Sequence, residues 1–199
     1  MRAPSKRTRR IAFGSAGPVA VVLAGVLVWQ GSNAAFTTET FNAGNNWQAG
    51  SVTLSNDGSG GAMFSLTGLT PGATGSKCIV VTATSTVAGL VKTYVQNPTA
   101  NGLENNIDVT IEQGTGGTYA DCTGFSATAT VAAQPLATLF ASNTSYATGL
   151  LPWTKGTGAG SKTYRFTWTF DTTGLTQAQV NALQGTSVRA DFEWELQNS

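Results

Sequence analysis

The chain predicts an all-β fold: a jelly-roll-like, two-sheet antiparallel sandwich with short helical connectors. Three observations carry that expectation. Most segments beyond residue 35 alternate apolar and polar residues with period two, as half-buried strands do. Breaks rich in Gly, Asn and Pro separate them, supplying residues that accept positive φ or preset a turn. The 199 residues include 24 glycines and abundant Thr, Ala, Ser and Val, which suits strands and tight turns rather than long helices.

The first 34 residues stand apart. Arg2, Lys6, Arg7, Arg9 and Arg10 make residues 1–10 basic and free of acids, and residues 11–29 are uncharged and mostly apolar. Ser32 and Ala34 then occupy positions −3 and −1 of a cleavage before Ala35. These are the parts of a secretory signal peptide. The expectation is a leader over 1–34, cut after residue 34, and a single domain over 35–199. The alternative is an uncleaved anchor, because the apolar run approaches the length of a minimal membrane helix. The membrane is therefore expected to matter only through the leader, and the product to be secreted or held at the cell surface.

Beyond the leader the chain keeps six basic and ten acidic residues, a balance of −4. Nucleic acid requires a basic footprint to neutralise its phosphates, and this surface offers none. No nucleic-acid partner is expected.

In chain order, strands are expected at Phe36–Phe41, Trp47–Leu54, Ala62–Leu66, Cys78–Ala83, Leu90–Gln96, Ile107–Glu112, Thr163–Phe170 and Ser187–Leu196. Val109 and Ile111 oppose Asp108, Thr110 and Glu112, so that strand has two distinct faces. Tyr164, Phe166, Trp168 and Phe170 form an aromatic stripe. Phe192, Trp194 and Leu196 oppose Asp191, Glu193 and Glu195, which gives the last strand one wet face. Breaks are expected at 56–61, Pro71-Gly72, Asn97-Pro98, 114–117 and 156–161. Two short helices are expected. One spans Gln134–Ser142, with Leu136, Leu139 and Phe140 at helical spacing; the other spans Thr176–Leu183, capped by Thr176 and stopped at Gly185.

Cys78 and Cys122 are the only cysteines, and in an exported chain such a pair reads as a disulfide. The chain has no histidine. That removes Ser-His-Asp and Cys-His machinery and the His-Glu-x-x-His zinc helix. Carboxylates at Asp57, Asp108, Glu112, Asp121, Asp171, Asp191, Glu193 and Glu195 leave paired-acid glycoside chemistry formally open. Those on strands fall mostly on polar phases, where solvated acids belong. A non-enzyme without catalytic, cofactor or metal residues is the expectation, and no cofactor is expected. Trp47, Trp153, Trp168 and Trp194 could form an aromatic binding platform, though such residues on alternating strands more often fill a core.

The segment after the cleavage point, Ala-Phe-Thr-Thr-Glu-Thr-Phe, is strand-prone and followed by a flexible break at 42–46. It reads either as an edge strand of its own sandwich or as a strand donated to a neighbour's open sheet edge. Donation gives a head-to-tail contact that propagates. Phe36, Thr38, Thr40 and Phe41 are the donor-strand candidates.

At these residues a family resemblance enters. The junction Ser32-Asn-Ala-Ala-Phe36 and the stretch Phe41-Asn-Ala-Gly-Asn-Asn-Trp-Gln-Ala-Gly-Ser-Val-Thr-Leu-Ser55 resemble the start of the TasA/CalY (camelysin-like) family. Leu66-Thr-Gly-Leu-Thr-Pro-Gly72, Lys77-Cys-Ile-Val-Val81, Gly114-Thr-Gly-Gly-Thr118 with Cys122, and Val188-Arg-Ala-Asp-Phe-Glu-Trp-Glu195 extend it across most of the chain. The resemblance implies a jelly-roll subunit of an extracellular, biofilm-matrix fibre, a leader cut by a SipW-type signal peptidase, and the chain itself as polymer partner. It places the donated strand over residues 35–42. A metalloendopeptidase label also travels with the family; a chain without histidine cannot supply its usual zinc ligands. The competing class is a monomeric surface-binding module.

Overall fold

The structure is a computed structural model that describes residues 51–198 apart from 66 and 67. The chain divides into two compact units, 1–47 and 48–199, and every described residue belongs to the second. The expected leader, the cleavage residues Ser32, Ala34 and Ala35, and the donor-strand residues Phe36, Thr38, Thr40 and Phe41 lie outside the described residues.

Eight strands form among the described residues. They are β1 (Val52–Asn56), β2 (Thr74–Ser85), β3 (Gly89–Thr99), β4 (Ile107–Thr115), β5 (Ser126–Pro135), β6 (Leu150–Lys155), β7 (Gly158–Phe170) and β8 (Arg189–Asn198). One sheet has the order β1-β2-β7-β4-β5 and the other β6-β3-β8, with all pairings antiparallel. The fold is the all-β sandwich expected.

Alternation decides what turns inward. Paired residues share a face, so Ile79 opposite Tyr164, Ile111 opposite Phe166 and Val109 opposite Trp168 line the same side of the larger sheet. All six are buried. The smaller sheet answers with Val91 and Val95 from β3 and Phe192 and Trp194 from β8. Rings interlock across the layers: Phe166 lies 4.5 Å from Phe192 and Tyr164 lies 5.4 Å from Trp194. Each such buried side chain contributes roughly 1.5–3 kcal/mol. Of the tryptophans considered for a platform, Trp168 is core and Trp194 packs against it.

Several expectations need correction. No strand forms over 62–65. Met63 and Phe64 instead turn down onto the core, and Phe64 meets Trp168 edge-on at 6.4 Å. The apolar spacing there reports a plug rather than a strand. Asn97-Pro98 is no terminus: β3 runs through it to Thr99, absorbing it as a register shift with Asn97 at φ 49°. β1 runs on to Asn56, past the expected end at Leu54, and residues 47–50 of the expected strand lie outside the described residues. Two strands were not anticipated. β5 is largely exposed and so lacks apolar alternation, and β6 contains Pro152, tolerated because β6 is an edge strand.

Both short helices are present, at Leu136–Ser142 and Gln177–Ala182. The first begins later than expected because Gln134 and Pro135 still belong to β5. The second carries the expected Thr176 cap as a full capping box with Gln179, and Gly185 follows at φ 75°.

Candidate docking cleft

Both sheets end on the same side of the sandwich with an edge that no described strand covers: β1 for the larger sheet, β8 for the smaller. Between them lies an open cleft of about 220 Å³. Leu54, Asn56 and Val81 line one wall; Phe192, Glu193 and Trp194 line the other. The sequence places these residues simply. Leu54 pairs with Ala83, and Asn56 with Val81, so they share the inward face of the larger sheet. Phe192 and Trp194 are the inward residues of β8. Val52, on the same phase of β1 as Leu54, is 41% exposed, the one large hydrophobic side chain so exposed among the described residues.

A polar clamp fixes the β1 wall where the strand ends. The Asp57 N–H donates to Val80 O at 3.2 Å, and Asp57 Oδ1 accepts from Val80 N at 2.7 Å. Asp57 Oδ2 accepts from Tyr119 N at 2.7 Å, and the Tyr119 hydroxyl donates to Ala62 O at 2.7 Å. Lys77 Nζ sits 4.2 Å above the Tyr119 ring, a cation–π contact. Gly58 must be glycine: a Cβ there would meet the Tyr119 ring at 2.9 Å.

The disulfide anchors this clamp. Cys78 and Cys122 are bonded, with Cα atoms 5.4 Å apart, so the loop carrying Tyr119 is tied covalently to β2. Cys78 is fully buried and Cys122 half-buried. The pairing matches the expectation. Its service to the β1 wall was not visible in the sequence, where Asp57 reads as one scattered carboxylate within the break at 56–61.

No family model and no curated protein matches this chain. The geometry must speak for itself.

The carboxylates are engaged individually rather than as a catalytic set. Glu112 pairs with Arg165 through two hydrogen bonds, Oε2 to Nε at 2.6 Å and Oε1 to Nη2 at 2.9 Å. Arg165 also stacks on Phe125, 4.7 Å from the ring centre. Asp121 and Asp171 accept from the backbone N–H of Thr123 and Thr173; the Thr123 backbone and side chain hold Asp121, and the Thr173 side chain and backbone hold Asp171, below the ordinary carboxylate range. Asp191 accepts from Asn97, and Glu195 from the Tyr94 hydroxyl. Glu193 borders the cleft, and Asp108 stands on the outward phase of β4. No group of three or more His, Cys, Asp or Glu residues able to hold a metal occurs among the described residues. No helix among them is long and apolar enough to cross a membrane.

A cleft lined by apolar and polar side chains between two backbone edges that no described strand pairs has a specific chemical capacity. It can take an extended segment whose N–H and C=O groups complete either edge while its side chains enter the gap.

Proposed function

We propose that the protein is an exported structural subunit of a cell-surface or biofilm-matrix fibre, assembled by donation of its N-terminal strand. The observation that supports this reading best is the cleft between the free edges of β1 and β8. The occupant is the segment 35–42 of a second copy, with Phe36, Thr38, Thr40 and Phe41 as its contacts. That segment precedes β1 in sequence, so each copy has one donor stretch to give and one cleft to fill. The contact is head-to-tail and does not close, which makes it propagate.

The side-chain arithmetic agrees with insertion between two sheets. Phe36 and Phe41 are five residues apart and point to opposite faces of a regular strand. A strand lying between two edges can bury both, and each contributes roughly 1.5–3 kcal/mol. The disulfide is in keeping with an oxidising compartment. The resemblance to the TasA/CalY family, with a SipW-type peptidase releasing Ala35, supports the same reading. The role needs no cofactor and no catalysis.

Deletion of residues 35–41 should abolish polymer and leave a folded, disulfide-bonded monomer, read by sedimentation and electron microscopy beside the parent. Leu54→Lys, which puts a charge on the cleft wall, should do the same. Fibres that persist in both variants would reject strand donation at this cleft. A parent that stays monomeric at every concentration would leave the surface-binding module as the better account.

A further inference from the structure

The opposite side of the larger sheet ends in β5, which among the described residues pairs with β4 alone. Its ten residues, Ser126–Pro135, include no charged side chain, and 126–130, 132 and 133 are exposed. An exposed sheet edge is a row of unpaired N–H and C=O groups, and proteins commonly guard it with charge, proline or cover. β5 has Pro135 only at its end. Two register shifts interrupt its pairing with β4, but between them Ala129, Thr130 and Val131 pair regularly with Gln113, Glu112 and Ile111.

Charge identifies the occupant. β8 carries Asp191, Glu193 and Glu195 along its length, so two copies of that edge would set acids against acids. β1 is only five residues long. β5 is the long neutral edge of a chain whose residues past the leader carry excess acid, so self-contact there brings no like charges together.

We infer that β5 is a lateral contact between copies of this chain, pairing antiparallel with β5 of a second copy about a two-fold axis near Thr130. Such a contact is isologous and closes on itself. One strand pair buries less than the roughly 1,000 Å² of a stable interface, so the isolated contact is weak. Repeated between two fibres it is multiplied by effective concentration and becomes a bundle. The bundling step rests on the proposed fibre; the strand contact does not.

The test compares the purified parent protein with Thr130→Lys and Leu54→Lys. Sedimentation over a concentration series is read alongside hydrogen exchange at residues 127–133 and electron microscopy. Thr130→Lys faces its own copy across the axis, so lateral association should weaken at least tenfold, with the melting temperature within a few degrees of the parent. In the parent, amides 127–133 should gain protection as concentration rises. Leu54→Lys should keep that protection while losing end-to-end growth. Equal lateral association in Thr130→Lys and parent, or no concentration-dependent protection in the parent, overturns the β5 contact. Protection that appears without any end-to-end polymer upholds β5 and overturns the fibre reading instead.

Discussion

Gln113 couples the two sheets through one buried amide. Its Nε2 donates to Leu151 O at 2.7 Å on β6 and to the Tyr164 hydroxyl at 2.9 Å on β7. Leu151 sits at φ 48°, a left-handed conformation that costs a non-glycine residue about 1–2 kcal/mol, and the amide holds its carbonyl in place. Gln113→Leu strands both partners away from water; at about 1–3 kcal/mol for each unsatisfied group, urea denaturation should show a loss of about 2–6 kcal/mol. Tyr164 adds a pH dependence. Burial pushes its phenol from the ordinary 10.0 up to about 12, against the opposing effect of the Gln113 hydrogen bond. Burial and the Glu195 carboxylate likewise hold Tyr94 above its ordinary value. Above pH 10 the unfolded chain releases protons that the native state keeps, so stability is intact below pH 10 and falls as pH rises towards 12. Ultraviolet titration should show these two tyrosines ionising only as the fold opens; ionisation near pH 10 in the still-folded protein would contradict the burial argument.

At the scale of elements, legibility followed burial. The buried stretches of β4 and β7 were readable because they pack one full face into the core, so their side chains obey period two; β7 nonetheless begins at Gly158, five residues before the expected start and inside the expected break at 156–161, because Gly158-Ala-Gly-Ser161 carries no buried alternation. β5 escaped because an exposed edge places no apolar demand on Ser-Ala-Thr-Ala-Thr. β6 escaped because Pro152 interrupts a strand that only an edge position permits. The segment 62–65 misled for the converse reason: Met63 and Phe64 are apolar because they plug the core, which requires no ladder. Of the cleft, the inward aromatics of β8 were readable, whereas its opposite wall depends on where β1 stops, and that is set by Asp57 bonding to Val80 and Tyr119 across distant sequence. The Gln177–Ala182 helix shows local chemistry at its most readable, with Thr176 bonding Gln179 N and Gln179 Oε1 accepting from Thr176 N. Thr176→Ala should cost about 1 kcal/mol, measured as a shift of the denaturation midpoint at unchanged slope.

At the scale of the molecule, the disulfide closes a loop of sequence separation 44. In the chain-entropy account that constraint contributes about 4 kcal/mol. Replacing both cysteines by serine should therefore lower the unfolding free energy by a few kcal/mol, and should raise hydrogen exchange around Tyr119 and Asp57 more than around Phe166. Uniform loss of protection would mean that the bond stabilises the whole sandwich without holding the β1 wall in particular. The placement of β7 has a further consequence, one of timing. β7 lies between β2 and β4 and pairs with both, yet it follows them in the chain; Thr74 bonds to Trp168 across 94 residues. Until β7 is available the larger sheet exists as two halves with a strand-wide gap at its centre. Folding must then wait for closure over a long loop, which makes a slow, late-committing reaction of the kind that high contact order imposes. A chain cut before Gly158 should gain no cooperative structure, and during synthesis the unfilled gap is the place where a foreign strand would do the most harm.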